Sequence, residues 1–150
     1  MNVADIMHTD VVTVGAQDTF ADVAKVLREH GISSVVVEGE GGPGGIVTER
    51  DFVNLLADGG DATSTTVGDR MTRDLATVEP STDIAEAAQL MATRKIRHLP
   101  VVEKGALAGI ISIRDLMSWA VEEYTGGHEL PDLERSSAAL SAAVELERPA

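Results

Sequence analysis

Two kinds of spacing alternate along the chain, and the alternation happens twice. The short β-branched runs Val11-Val12-Thr13-Val14 and Leu75-Ala76-Thr77-Val78 have the length and composition of strands, and each stops just before a helix-start signal. Behind them Phe20, Val23, Val26 and Leu27, and later Ile84, Ala87, Leu90 and Met91, recur at the spacing that lays one stripe along a helix. Thr19 before Asp22 and Asp83 before Glu86 resemble capping boxes at the two helix starts. Gly31 supplies a left-handed stop for the first helix, whereas Lys95 holds that place in the second, which predicts a different ending there. Residues 34–38 and 99–103 read as strands, followed by turns and by strand runs at 45–48 and 108–112. Phe52, Leu55 and Leu56, and then Leu116, Met117, Ala120 and Val121, give second helical stripes.

The two halves share a register of 64 positions without a gap. Val3-Ala4-Asp5-Ile6-Met7 returns as Val67-Gly68-Asp69-Arg70-Met71, and Gly45-Ile46-Val47-Thr48-Glu49-Arg50-Asp51 returns as Gly109-Ile110-Ile111-Ser112-Ile113-Arg114-Asp115. The order βαββα, present twice, predicts an α/β (α+β) fold of two units packed around a pseudo-two-fold axis, with the working surface in the cleft between them. The units are residues 1–60 and 61–124. The polar stretch 58–66 is a natural linker, and 125–150 is a C-terminal tail, partly disordered or a short Ala-rich helix over 136–147.

Composition narrows the function classes. The 150 residues are 43% hydrophobic, enough for one domain or for two half-size units that share a core. No run of 18 apolar residues and no signal-peptide pattern occurs, so the expectation is a cytoplasmic protein without a membrane span. With no cysteine there is no disulfide, thiolate metal site or cysteine nucleophile. A net charge of −13 argues against nucleic acid and anionic membranes as partners. Gly39-Glu40-Gly41-Gly42-Pro43-Gly44 fits G-x-G-x-x-G, but a β-type run follows where a dinucleotide fold needs a helix, so it reads as a hairpin turn. His8, His30, His98 and His128 make no zinc-hydrolase pair, and no nucleophile elbow or P-loop lysine is present. Met71, Met91 and Met117 read as core packing. The expectation is no enzyme, no metal and no required cofactor.

The Asp-x-Met openings, the Thr-Val runs, the strand entry Ile96-Arg97-His98-Leu99-Pro100-Val101-Val102 and the exit Gly109-Ile110-Ile111-Ser112-Ile113-Arg114-Asp115 resemble a tandem pair of cystathionine-β-synthase (CBS) domains, a Bateman module. The resemblance covers residues 1 to about 124. It implies a regulatory module that binds adenosine-containing ligands, AMP, ADP, ATP or S-adenosylmethionine, in its clefts, that forms a homodimer, and that signals to a regulated protein. The other reading is a protein-interaction or dimerisation module with degenerate clefts.

Candidate site residues follow from both lines. Thr48 with Asp51, and Ser112 with Asp115, set a hydroxyl and a carboxylate at a strand-to-helix junction, where free backbone amides favour a phosphate and the carboxylate suits a ribose diol. The same pairs equally suit plain helix caps. By the resemblance, Ile96, Arg97, His98 and Pro100 border the nucleotide, with Arg97 and His98 on its phosphates. Alternatively Arg94, Lys95 and Arg97 form the cationic end of a helix. The first repeat has His30-Gly31-Ile32-Ser33-Ser34 where the second has this basic entry, and Val36 where it has Pro100, so the two clefts are expected to differ. Arg50 and Arg114 are either phosphate ligands or surface residues. Thr13, Val14, Thr77 and Val78 are expected to offer backbone groups to the adenine edge.

Overall fold

A computed structural model of the chain describes residues 1–126. The chain divides into two compact units, Met1–Leu116 and Met117–Ala150. The expected tail helix at 136–147 lies outside the described residues.

The first repeat forms β1 (Thr13–Val14), α1 (Phe20–His30), β2 (Ser34–Glu38), β3 (Pro43–Thr48) and α2 (Glu49–Ala57). In its sheet β1 runs parallel to β2, and β2 antiparallel to β3. After a single helical turn, α3 (Val67–Arg70), the second repeat forms α4 (Ile84–Arg94), β4 (His98–Glu103), β5 (Ala106–Ser112) and α5 (Ile113–Thr125). A matching 3₁₀ turn spans Val3–Asp5 at the start of the chain, and sequence periodicity showed neither of these short turns. The glycine-rich stretch is the β2–β3 hairpin turn.

One predicted strand is missing. Residues 75–78 contribute a single parallel bridge, Val78 to Val101. Its cause is Pro100. In the first repeat the Val36 amide donates to the Val12 carbonyl at 3.4 Å, whereas the equivalent position in β4 is a proline with no N–H to give. The predicted helical stripes hold in part. Phe20, Val23, Leu27, Ile84, Ala87, Met91, Leu55 and Leu116 are buried, but Leu56 is 72% exposed and Met117 60% exposed. Met91 is core as expected, and Met71 packs against the core of the first repeat.

The opening segments are exchanged between repeats. Val67, which begins the second repeat, belongs to the buried cluster of the first with Val14, Phe20, Val23, Val35 and Leu55. Its amide donates to the Asp18 carbonyl at 2.8 Å, and the Gly68 amide to Ala16 at 2.9 Å. The counterpart Val3 is fully buried, with its amide on Thr82 at 2.8 Å and the Ala4 amide on Pro80 at 2.9 Å. Thr72 pairs in both directions with Ile46 of β3, and His8 in both directions with Ile110 of β5. All of these bonds repeat at the 64-residue offset, which is the pseudo-two-fold symmetry written in hydrogen bonds. The stretch 58–66 takes part in the packing: Ala62 and Thr65 carbonyls accept the Ala21 and Phe20 amides, and Arg70 pairs with Asp58 at 2.8 Å.

This exchange explains the repeated motifs. A Cβ on Gly45 would lie 2.5 Å from the Met71 sulfur and 3.0 Å from the Thr72 carbonyl. One on Gly109 would lie 2.9 Å from the Met7 sulfur and 2.8 Å from the His8 carbonyl. The methionine of each opening segment therefore rests where the glycine of the other repeat's last strand leaves room.

The two first helices end alike, contrary to expectation. Lys95 takes the left-handed conformation, φ 56° and ψ 41°, beside Gly31 at 61° and 35°. Both caps close on the same backbone carbonyls, Leu27 and Arg28 in α1, Met91 and Ala92 in α4, so the helix-ending bonds override the side-chain preference. Lys95→Gly should therefore stabilise the protein by about 0.5–1 kcal/mol in chemical denaturation, strain relief being partly offset by a more flexible unfolded chain. Gly45→Ala should destabilise by about 1–3 kcal/mol, because Met71 can turn aside but the Thr72 backbone cannot. A neutral Gly45→Ala variant would show that the segments are not tightly held there.

Candidate functional site

A cavity of about 1090 Å³ lies between elements of both repeats within the first compact unit. Its apolar lining includes Val11 and Val12 before β1, Leu27 of α1 and Ile32 just after it, Phe52 of α2 and Ile110 of β5. Its polar lining includes Arg97, His98, Ser112, Arg114 and Asp115 from the second repeat and His8, Ser33 and Ser34 from the first. Arg28, Asp10 and Glu49 add charges of both signs at the rim.

Asp115 is held as an anion. Its Oδ2 accepts from the Ser112 amide at 2.7 Å and the Ser112 hydroxyl at 2.7 Å, which closes the N-terminus of α5. Its Oδ1 accepts from His8 Nε2 at 2.8 Å, a contact across 107 positions of sequence. Burial pushes the carboxyl upward, but the Ser112 and His8 bonds outweigh it, and the net shift is below the ordinary carboxylate value. Because the carboxylate is ionised, the imidazole must donate through Nε2.

His98 stands opposite Ser33, with Nε2 3.1 Å from the serine Oγ. Burial and the neighbouring Arg97 lower its pKa, against opposing pulls from Asp115 and Glu49. The shift favours the neutral imidazole near neutral pH.

The expected residues separate into groups. Arg97, His98, Ser112, Arg114 and Asp115 converge on the large cavity. Arg97 and Arg114 are exposed there, and among the described residues neither is held in a salt bridge. Arg94 and Lys95 instead belong to the end of α4, Arg94 lying 3.9 Å from Asp74. Thr77 and Val78 line a separate cavity of about 510 Å³ whose charged residues are Glu79 and Glu86. The Val78 amide donates to the Pro100 carbonyl at 3.2 Å and its carbonyl accepts from the Val102 amide at 2.8 Å. Thr13, Val14, Thr48, Arg50, Asp51, Ile96 and Pro100 line neither cavity. Thr13 spends its hydroxyl on Glu38 at 2.8 Å, and Pro100 is buried in β4. Val11 and Val12 reach the cavity in place of Thr13 and Val14, two residues earlier than expected. Sequence reasoning also missed His8 and Arg28; neither stands in a motif, and His8 meets Asp115 only because the opening segment crosses to β5.

Two repeats that complete each other and share a polar-and-apolar cleft define one paired module rather than two independent domains. The CBS domain family model matches residues 3–58 and again 67–122, and the chain belongs to the CBS domain family. Among curated relatives, MK0525 of Methanopyrus kandleri is 36% identical, over 83% of this chain and 64% of its own length. The chain thus spans less than two thirds of that relative. The CBS domain-containing protein YhcV of Bacillus subtilis is 31% identical, over 88% of this chain and 94% of its own. Among solved structures, the CBS-domain containing protein ATU1752 of Agrobacterium tumefaciens superposes with a TM-score of 0.75 at 34% identity, covering 80% of this chain and 99% of that one. The CBS domain pair of protein MJ0100, solved with 5-methylthioadenosine and S-adenosyl-L-methionine, shares the fold with a TM-score of 0.75 at 24% identity, covering 82% of this chain and 98% of that one.

The lowered His98 value fixes the sign of a pH dependence. Unfolded chains take up the histidine proton first as pH falls, so this group's contribution favours folding at and above neutrality and is lost as pH drops through the ordinary imidazole range toward the folded value. His98→Asn should flatten the fall in urea midpoint between about pH 7.5 and 5. Parallel curves for the two proteins would contradict a lowered pKa at the half-buried His98.

Proposed function

We propose that the large cavity binds an adenosine-containing ligand and that the chain is a regulatory module. The observation that carries this reading is the convergence, from both repeats, of an apolar wall for a base, an ionised Asp115 for ribose hydroxyls, and Arg97, Arg114 and His98 for phosphate oxygens. The cavity volume suits a nucleotide. The fold shared with MJ0100 supports the ligand class. Two side-chain bonds that join the repeats, His8 to Asp115 and Ser33 to His98, lie within the cavity, so a ligand there changes what holds the repeats together. Its signal is a shift between two arrangements of the repeats, in proportion to its different affinity for each.

The second cleft, around Thr48, Arg50 and Asp51, is the weaker site in this reading, having no counterpart of the Arg97 and His98 pair. The module works as a homodimer and passes its signal to a regulated protein. Val53 and Leu56, 62% and 72% exposed on α2, supply an apolar face for such contacts. The same face favours a second reading, an interaction module whose clefts stay empty.

Thermal unfolding of nucleotide-stripped protein separates the two. AMP, ADP, ATP or S-adenosylmethionine at 100 times its dissociation constant should raise the melting temperature by roughly 5 to 10 °C, with GTP as control. No rise with any adenosine compound leaves the interaction module as the better account. Arg97→Ala should weaken AMP roughly tenfold while sparing adenosine, as expected for a phosphate contact. Asp115→Ala should cost more affinity than Asp51→Ala, and equal losses would refute the ranking of the clefts.

A further inference from the structure

The Asp115 carboxylate is nearly full before any ligand arrives. Two oxygens offer about four lone-pair positions. Ser112 takes two of them on Oδ2, through its amide and its hydroxyl at 2.7 Å each, and His8 takes one on Oδ1 at 2.8 Å. A ribose that presents both its 2′- and 3′-hydroxyls needs two acceptor positions on Oδ1. One of them is occupied. The Ser112 bonds cannot yield without uncapping α5, whereas His8 is 65% exposed and its backbone is anchored independently by paired bonds with Ile110, so its ring can leave without disturbing the chain.

We infer that His8 is a competitive latch on Asp115, displaced by the diol of a ribonucleoside and left in place by a nucleoside with a single ribose hydroxyl. This rests on the proposed adenosine site and adds a residue to it that selects between sugars. The other repeat supplies an internal contrast. Thr72 stands at the position of His8, and among the described residues Asp51 accepts only from the Thr48 amide at 2.8 Å, so that half of the molecule has no latch. The geometry gives His8 a second consequence. Its ring ties the opening segment of the first repeat to the first turn of the second repeat's last helix, and ribose binding cuts that tie.

The test compares two neutral probes, adenosine and 2′-deoxyadenosine, by calorimetry on the full chain with and without His8→Ala. Losing the latch should tighten adenosine by about five- to tenfold, the modest range expected for a partly exposed charged hydrogen bond, and change 2′-deoxyadenosine less than twofold. In the wild-type protein, the His8 imidazole NMR signals should shift on adding adenosine and stay in place with 2′-deoxyadenosine. Equal changes for both probes, or weaker adenosine binding by the variant, would overturn the latch while leaving the adenosine site standing. If neither protein binds either probe, the adenosine site falls and the latch with it. His8→Asn, which keeps a polar group but cannot span the same distance, should behave as the alanine variant does.

Discussion

Everything else in this molecule depends on the reciprocal exchange of opening segments. Val3 and Val67 are fully buried, each with its amide bonded to the repeat it does not belong to. An exposed valine costs little, but burying one removes an apolar side chain from water only if the neighbouring backbone groups find partners. Here they find them on the other repeat, through Thr82 and Pro80 in one case and Asp18 and Ala16 in the other. Neither repeat has a complete core or a complete set of backbone bonds by itself, so the pair is the folding unit. The last strands follow the same logic, since β3 and β5 would otherwise leave an open edge where Thr72 and His8 now pair.

The cleft inherits its properties from that exchange. Its apolar lining comes mainly from the first repeat and its polar groups from both, and they meet because the segment from Met7 to Val12 runs across to β5 before turning into β1. Electrostatics then distinguish its two best-placed groups. Asp115 is kept ionised by hydrogen bonds that outweigh its burial, and His98 is kept neutral by burial and Arg97. An anionic acceptor and a protonatable ring thus line the same cavity.

The symmetry is broken at a few positions. Pro100 in place of Val36 removes one amide and reduces the second repeat's first strand to a bridge. His98 in place of Ser34 and Arg97 in place of Ser33 put these two basic groups in the second repeat only. Lys95 in place of Gly31 leaves the geometry intact despite a less favourable residue, because two backbone bonds fix that helix ending. The same 64-residue register thus tolerates a change of side chain more readily than the loss of an N–H.

The sequence by itself determined the doubled α/β architecture, the main strands and helices, the family, and a set of basic and acidic residues of which Arg97, His98, Ser112, Arg114 and Asp115 share one cavity. Those features are legible because periodicity, caps and repeated motifs are local, and a local pattern survives without knowledge of the fold. The tertiary structure alone decided that Val11 and Val12 line the cleft instead of Thr13 and Val14, that Thr77 and Val78 fall in a different cavity, and that His8 reaches Asp115 across 107 positions. The physical reason is the exchange itself: when each half of a repeat protein lends its first residues to the other, the partners of those residues are set by packing across the axis, and no spacing within either half encodes them.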